Sequence, residues 1–277
     1  MFGQSHVGLI RCSLLGLFLI WGVSSASAVF TTSLESGEGY SVGTLGGQND
    51  WANAFSQGDN SSRDAQVITS GTDGVNAVDG TQLGRVRRRD TIANNSHRAT
   101  HALEGPDPLT TDFTVSAYLA YVPGDDGLIN TAAMEVLDTA SSFNGVRVGF
   151  ANFSGTTRFM YRDGSAVTAL QLGGVDAVVL VAGQMYLFVL DVHPATATYE
   201  LNVYSTDNTL LGSASGAAAR NGTNTFSYLG FMIVTDTGNS YDSVYFDSIN
   251  QIVPEPASLG LLALGGLLLG RRRKGAA

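Results

Sequence analysis

The side chains best suited to chemistry are aspartates in short turns that are rich in Asn and Gly. Oxygen ligands from such loops suit calcium, which takes six to eight of them at about 2.4 Å. None of these turns matches the EF-hand pattern, and Asp, Asn and Gly also form turns for conformational reasons alone. We predict that at least one turn binds calcium. The candidate ligands are Asp73, Asp79, Asp125, Asp126, Asp236 and Asp242.

A second group of residues with a chemical role lies near the C-terminal end of the printed sequence. Pro254-Glu255-Pro256 is followed by an apolar run over residues 257–270 and then by basic residues. The prolines keep the segment extended, which is the form in which a protease pairs with its substrate backbone. As a helix, the fourteen apolar residues would rise about 21 Å against a hydrocarbon core of about 30 Å, so the span is marginal. The basic residues are expected to stay cytoplasmic, which leaves residues 29–253 across the membrane.

In type, order and position these parts resemble the PEP-CTERM sorting signal of Gram-negative bacteria. The resemblance implies that a membrane-embedded exosortase recognises the tail, cuts near the motif, and releases or transfers the protein to the cell surface or the extracellular polysaccharide. The inner membrane is then only a transient anchor. A permanent tail anchor is the alternative, but an anchor has no need of the P-E-P triplet. The sorting residues implied are Pro254, Glu255, Pro256, Arg271, Arg272 and Arg273.

The first residues have the pattern of a secretory signal. Arg11 precedes ten apolar residues at 14–23, and Ala26-Ser27-Ala28 follows. This order is typical of a signal peptide cut by signal peptidase after Ala28, and about 20 apolar residues would be needed to span a bilayer. Cys12, the single cysteine, leaves with this segment, so a core, calcium or both must hold the exported region together. We expect a signal peptide at 1–28, an exported domain at 29–252 and the sorting signal at 253–277.

The net charge of the exported region limits the partners that it can bind. Residues 29–253 keep 10 of the 15 basic residues and 23 of the 24 acidic ones, which gives a net charge of −13 without a lysine. Such a surface repels nucleic acid and anionic lipid. We therefore expect no nucleic-acid partner, while divalent cations and neutral glycans stay open.

Short alternating segments indicate the fold. Residues 113–121 and 146–150 alternate apolar and polar side chains with a period of two, which is typical of strands with one buried face. Asp163-Gly164 predicts a hairpin turn, residues 185–192 a central strand, and His193-Pro194 a turn. With 34 Gly, 14% charged residues and no long helical period inside the domain, the chain is predicted to be all-β. We expect a two-sheet antiparallel jelly-roll sandwich, with the signal helix and a short C-terminal apolar helix outside it.

Residues 39–51, the late hairpin and residues 245–249 resemble concanavalin- and laminin-G-type domains found in PEP-CTERM proteins. The predicted core of the sandwich is Phe113, Val115, Leu119, Val148, Phe150, Leu187, Val189, Leu201, Val203, Phe231 and Ile233.

Three functions remain open for this domain. The sequence favours a structural or adhesive role on an extracellular polysaccharide or matrix protein, without enzymatic activity. A lectin-like module is the first alternative, and it requires aromatic residues on one exposed face. A polysaccharide-cleaving enzyme is the second, and it requires a cleft with converging Tyr, His, Arg or carboxylate groups. The aromatic candidates are Trp51, Tyr118, Tyr161 and Tyr241.

Two further patterns carry residues that could bind ligands. His97 and His101 are four apart but sit beside loop-forming residues, so we expect surface histidines and no metal site. Arg85, Arg87 and Arg89 alternate and would share one face of a strand. They could clamp sugar carboxylates, but a charged edge strand that discourages aggregation is the favoured interpretation.

Overall fold

The computed structural model describes residues 26–57, 63–89, 96–124, 127, 129–172, 175–176, 180–234 and 241–254. This part of the chain folds into strands joined by turns, with three short 3-10 helices at Ser36–Glu38, Thr72–Gly74 and Pro194–Thr196. The strands are β1 Ala26–Thr32, β2 Gly43–Thr44, β3 Ala52–Gln57, β4 Arg63–Thr69, β5 Gln82–Arg89, β6 Ser96–Ala102, β7 Phe113–Val122, β8 Thr131–Leu137, β9 Gly145–Phe153, β10 Thr156–Asp163, β11 Ala166–Ala169, β12 Gln171–Leu172, β13 Val175–Asp176, β14 Tyr186–His193, β15 Thr198–Tyr204, β16 Leu210–Ala218, β17 Tyr228–Val234 and β18 Tyr241–Pro254.

Two antiparallel sheets make the sandwich. The first has nine strands in the order β16-β15-β14-β7-β18-β5-β4-β2, with β1 also paired to β18. The second has seven strands in the order β11-β10-β9-β8-β17-β6-β3, and β12 and β13 form a separate pair. Several strand neighbours, such as β7 and β18, β5 and β18, and β6 and β17, are distant in sequence, as expected when Greek-key connections cross between two sheets. The predicted all-β, two-sheet architecture is confirmed.

Alternation along each strand selects the side chains that fill the space between the sheets. In β7, Phe113, Val115, Ala117 and Leu119 are buried, while the residues between them up to Tyr118 are half-buried. Residues 113–119 alternate in burial as expected, whereas Ala120, expected on the outward face, is also buried, in a second hydrophobic cluster. The hairpin of β10 and β11 also forms, but its two turn residues are Gly164 and Ser165, because Asp163 already pairs with Ala166.

The prediction for β14 was wrong in its choice of inner face. Leu187 and Val189 are half-buried on the outer side, whereas the core receives Tyr186, Phe188 and Leu190. A strand places every second residue on one face, so Leu187 and Val189 share a face with Asp191 and His193. These two polar side chains explain why this face of β14 points away from the core. The other predicted core residues are buried.

Three aromatic rings pack against one another in the core between the two sheets, next to β5. The rings of Phe231 and Phe246 stack with centroids 3.9 Å apart and planes inclined by 2°. Trp51 lies 5.9 Å from Phe231 and 5.6 Å from Phe246. The Phe246 ring fits against the backbone of β5 because residue 84 is glycine, where a Cβ atom would lie 2.3 Å from the ring.

Candidate functional site: an arginine cluster on the seven-stranded sheet

The outer face of the seven-stranded sheet carries a buried ionic group in its central strands. Glu135 on β8 lies directly opposite Arg147 on β9, and its Oε1 accepts a 2.7 Å hydrogen bond from Arg147 Nε. Its other oxygen, Oε2, accepts a 2.5 Å bond from Nε of Arg98 on β6. Burial raises the pKa of a carboxyl group, but the two guanidinium groups hold the pKa of Glu135 below its usual value. Glu135 is therefore ionised at neutral pH.

The loop between β8 and β9 covers this ion triad. Arg98 Nη1 donates to the carbonyl oxygens of Ala140, at 3.2 Å, and Ser142, at 2.9 Å. The Phe143 ring lies over Arg98 and Arg147, with its centroid 5.4 and 5.9 Å from their Cζ atoms. Phe143 itself is 37% exposed. Arg98 and Arg147 thus hold the loop against the sheet, and the loop carries the exposed Phe143 ring.

Two more arginines extend the positive charge beyond the triad. Arg162 lies at the end of β10, and Arg220 follows β16, where its backbone pairs with Gly145 at the start of β9. Both residues are half-buried. Burial, together with the charges of Arg147 and Arg220, lowers the pKa of Arg162 to about 10. Burial and the neighbouring guanidinium groups therefore disfavour the charged form of Arg162.

Each of the two outer arginines, Arg162 and Arg220, has one buried donor without an acceptor among the described residues. Nε of Arg162 and Nε of Arg220 are buried and make no hydrogen bond to the residues described. Arg220 Nη1 donates one bond of 3.3 Å to the carbonyl oxygen of Phe143. We call Arg98, Arg147, Arg162 and Arg220, together with Glu135, the arginine cluster. It sets four guanidinium groups against one carboxylate, in a region of the chain whose net charge is −13.

The chemistry available to this cluster is the binding of an anion. A guanidinium group matches a carboxylate or sulfate with two parallel hydrogen bonds, and such charge-assisted bonds are about twice as strong as neutral ones. The overall negative charge acts against polyanions at long range, but salt screens it beyond about 8 Å. A single anionic group that touches the outer arginines therefore experiences mainly the local positive charge.

Sequence reasoning missed this cluster, although a signal was present. Arg147 lies between Val146 and Val148 in the alternating segment 146–150 that predicts a strand. Glu135 lies between Met134 and Val136. A strand glutamate and a strand arginine, each flanked by apolar residues, are candidates for partners on one sheet face. Their pairing could not be deduced because it depends on which strands are neighbours.

The residues predicted to bind calcium are spread out where the structure describes them. Asp73 Oδ2 accepts hydrogen bonds from Arg85, at 2.9 Å, and from the Tyr245 hydroxyl, at 2.5 Å. Asp242 Oδ1 accepts a 2.9 Å bond from the Gly124 amide, and Asp79 is exposed. Within the described ranges, no group of three or more His, Cys, Asp or Glu side chains is arranged to hold a metal ion. Calcium binding stays a prediction. Asp125, Asp126 and Asp236 lie outside the described residues.

The four aromatic candidates do not form one exposed platform. Trp51 is 2% exposed, and its Nε1 donates to the Tyr40 hydroxyl at 3.1 Å. Tyr161 packs against the main core, whereas Tyr118 packs on the outer side of the nine-stranded sheet. Tyr241 is exposed on β18, six residues from the position that pairs with Tyr118. The prediction that these four residues could together form one lectin site is therefore wrong.

The two histidines and the alternating arginines also differ from expectation. His97 and His101 are buried rather than on the surface, and the His101 ring stacks on Phe30 with centroids 4.4 Å apart. They share the inner face of β6 with Ala99, so they are core residues. The strand β5, which holds Arg85 and Arg87, lies between β4 and β18. It is not an edge strand, and a role in discouraging aggregation does not apply.

The processing residues fall at the borders of the described chain. Ala26 and Ala28 belong to β1, and Pro254 is the last residue of β18. The apolar run at 14–23, the apolar run at 257–270 and the remaining sorting residues Glu255, Pro256, Arg271, Arg272 and Arg273 lie outside the described residues. In the part of the chain that is described, no helix has the length and hydropathy needed to cross a membrane.

Comparison with known proteins identifies the tail. The family model of the PEP-CTERM protein-sorting motif matches residues 253–274. The chain therefore carries this motif, which indicates C-terminal sorting of an exported protein and implies processing by an exosortase. No curated protein matches the sequence.

Several solved structures are similar to this chain. A carbohydrate esterase of the Shiga toxin-encoding bacteriophage phi24B is 10% identical with a TM-score of 0.50, over 83% of this chain and 100% of that chain. Basic winged bean lectin is 9% identical with a TM-score of 0.44, over 82% and 98% of the two chains. A sialidase is 11% identical with a TM-score of 0.45, over 73% of this chain and only 17% of its own length. At 10% identity, the similarity to the esterase concerns the fold and no ligand.

Proposed function

We propose that this protein is exported, sorted through its tail to the cell surface or extracellular matrix, and attached there to polysaccharide by its β-sandwich. The ligand is a carboxylate substituent, such as a uronic acid, on an otherwise neutral glycan. The role is adhesive or structural, and the arginine cluster is the binding site. The exosortase acts during sorting, and the membrane holds the chain only until the tail is cut.

One observation carries this proposal: the positive charges of Arg147 and Arg220 disfavour the charged form of Arg162, and Nε of Arg162 and Nε of Arg220 make no hydrogen bond to the described residues. A carboxylate that binds the accessible part of these half-buried guanidinium groups reduces the repulsion among them. The exposed Phe143 ring beside them offers an apolar surface to a sugar ring. The neutral parts of the glycan avoid the repulsion that a fully charged polymer would meet.

The domain binds rather than cleaves in this account. Glu135, the carboxylate of the cluster, is 1% exposed and is held by Arg98 and Arg147, so it stays ionised and has no proton to donate. General acid catalysis requires a carboxyl group whose pKa is raised towards neutrality. The cluster has the opposite electrostatics.

A glycan array on residues 29–253 tests the proposal. We expect binding to glycans with isolated uronic acids, and loss of binding when the carboxyl groups are chemically reduced to alcohols. Sulfated analogues test whether any anion suffices. A reducing-end assay on the bound glycans separates binding from cleavage. Equal binding to the acid and its reduced form would contradict the proposal, and release of new reducing ends would favour an enzyme.

A further inference from the structure

The strand that leads into the sorting motif is paired with residues that belong to the predicted signal peptide. In the antiparallel register of β1 and β18, Ala26 pairs with Pro254, Ser27 with Val253 and Ala28 with Ile252. Pro254 is the first residue of the P-E-P triplet. Before signal cleavage, the N-terminal segment therefore covers the backbone immediately preceding the sorting motif.

The predicted cleavage site coincides with an irregularity in this pairing. The register shifts between Ala28 and Phe30, so Val29 is an extra residue with no partner of its own. Hydrolysis of the Ala28–Val29 peptide bond by water leaves a carboxylate on Ala28 and an ammonium group on Val29. Regular pairing then starts at Phe30, which faces Gln251.

The other side of β18 offers no substitute cover. Its pairing with β7 ends where Ile252 lies opposite Thr114. Once residues 26–28 have left, Ile252 keeps one neighbouring strand, and Val253 and Pro254 keep none among the described strands. The segment that enters the motif becomes an unpaired extended backbone. Proteases and other partners that recognise an added strand require such a backbone.

From this register we infer that residues 26–28 block the sorting motif in the folded chain, and that signal cleavage uncovers it. The two endoproteolytic steps then have a fixed order. Hydrolysis after Ala28 comes first, and cleavage of the tail near Pro254 follows. A chain that still carries its signal peptide keeps its tail, so no product retains the signal peptide after losing the tail. The inference rests on the predicted signal cleavage and is independent of glycan binding.

The test uses the full chain in spheroplasts of a host without an exosortase, where the tail stays attached after signal cleavage and an added protease reaches the exported region. The probe is a proline-specific endopeptidase, and mass spectrometry measures the rate of cleavage after Pro254. Ala28→Phe blocks signal cleavage and leaves β1 in place. We expect cleavage after Pro254 to be about tenfold slower in this variant than in the processed wild type, because the paired strand must open first. Equal rates would overturn the inference.

A second pair of variants separates strand pairing from membrane tethering. In the Ala28→Phe background, Ala26→Gly with Ser27→Gly weakens β1 without adding a site for the protease, and it is expected to restore fast cleavage while the signal stays attached. The matched control, Ala26→Val with Ser27→Val, favours a strand and is expected to stay slow. Slow cleavage in the glycine variant would mean that tethering protects the tail, and it would contradict the inference.

Discussion

The two sheets both carry arginines on their outer faces, but only one sheet supplies enough carboxylates. On the nine-stranded sheet, Arg87 Nε donates to Asp64 Oδ2 at 2.6 Å, and Arg85 Nη1 donates to Asp73 Oδ2 at 2.9 Å. We call these four residues the aspartate-paired group. It balances two positive charges with two negative ones, whereas the arginine cluster sets four guanidinium groups against Glu135.

This difference in the number of carboxylates separates structural arginines from arginines that can bind a ligand. In the aspartate-paired group, a hydrogen bond from Tyr245 and the neighbouring arginines lower the pKa of Asp73. The carboxylates of this group balance its positive charges, although Nε of Arg85 and Oδ1 of Asp64 are also buried without a hydrogen-bond partner among the described residues. In the arginine cluster, Arg98 and Arg147 form ion pairs with Glu135, whereas the described residues give Arg162 and Arg220 no carboxylate partner. Residue type is equal in the two places, and the ratio of carboxylates to guanidinium groups is what differs.

The largest expected effect comes from Glu135→Gln, which leaves Arg98 and Arg147 buried without their counter-charge. Breaking a buried ionic group in this way lowers the free energy of unfolding by about 3–5 kcal/mol. Urea denaturation of residues 29–253 measures the change. A loss below 1 kcal/mol would mean that the triad is well hydrated, and would contradict its burial.

Acid sensitivity follows from the same carboxylate. The pKa of Glu135 is lower in the folded protein than its usual value of 4.5. Its contribution is therefore fully present above pH 4.5 and is lost as the pH falls through the folded pKa. We expect the wild type to lose stability in this acid range more steeply than Glu135→Gln does. Parallel stability curves for the two proteins between pH 6 and the acid limit of folding would contradict the assignment.

Breaking the aspartate-paired group should have a smaller effect. Asp64→Asn removes the acceptor charge beside Arg87, but the side chains of Asp64 and Arg87 are 22% and 31% exposed. Water can replace part of the lost interaction, so we expect a loss of about 1 kcal/mol in the free energy of unfolding. Thermal unfolding of Asp64→Asn beside Glu135→Gln measures the contrast. A larger loss for Asp64→Asn would reverse the comparison.

Removing an uncompensated arginine should slightly stabilise the protein. Arg162→Met keeps most of the packing and deletes a charge that is repelled by Arg147 and Arg220. We expect the free energy of unfolding to rise by about 0.5 kcal/mol, within the usual range for substitutions near the surface. Arg87→Met, in the aspartate-paired group, is the matched control and should lower it. A loss of stability in Arg162→Met would mean that the charge of Arg162 is compensated.

Calcium should have the smallest effect. A site with a dissociation constant near 1 mM stabilises the folded state by about 0.4 kcal/mol in 1 mM calcium. Thermal unfolding of residues 29–253 in calcium and in EDTA measures the shift, and magnesium is the control. Identical melting temperatures in calcium and EDTA would remove the prediction.

The fold was predictable from sequence to the extent that alternation is local. The burial of Phe113 and Val115 follows from a period of two within a single strand. The inner face of β14 was missed because Leu187 and Val189 are as apolar as their neighbours, and only the more distant Asp191 and His193 reveal the face.

The candidate site was less accessible to sequence reasoning because it is assembled across strands. Arg98, Glu135 and Arg147 come from β6, β8 and β9, and strand order alone brings them to one face. In contrast, the tail motif is contiguous and could be read directly. His101 was misjudged because nothing in its local sequence shows that Phe30 and Trp51 pack on it.

Calorimetric titration of a uronic-acid oligosaccharide into residues 29–253 tests the central claim most directly. We expect the wild type and Arg87→Met to bind with similar affinity. The double variant Arg162→Met with Arg220→Met should bind at least about tenfold more weakly, because each charge-assisted hydrogen bond contributes about 1.5–3 kcal/mol. The double variant should also unfold at a temperature no lower than that of the wild type. Unchanged affinity in a folded double variant would contradict the assignment of the arginine cluster as the binding site.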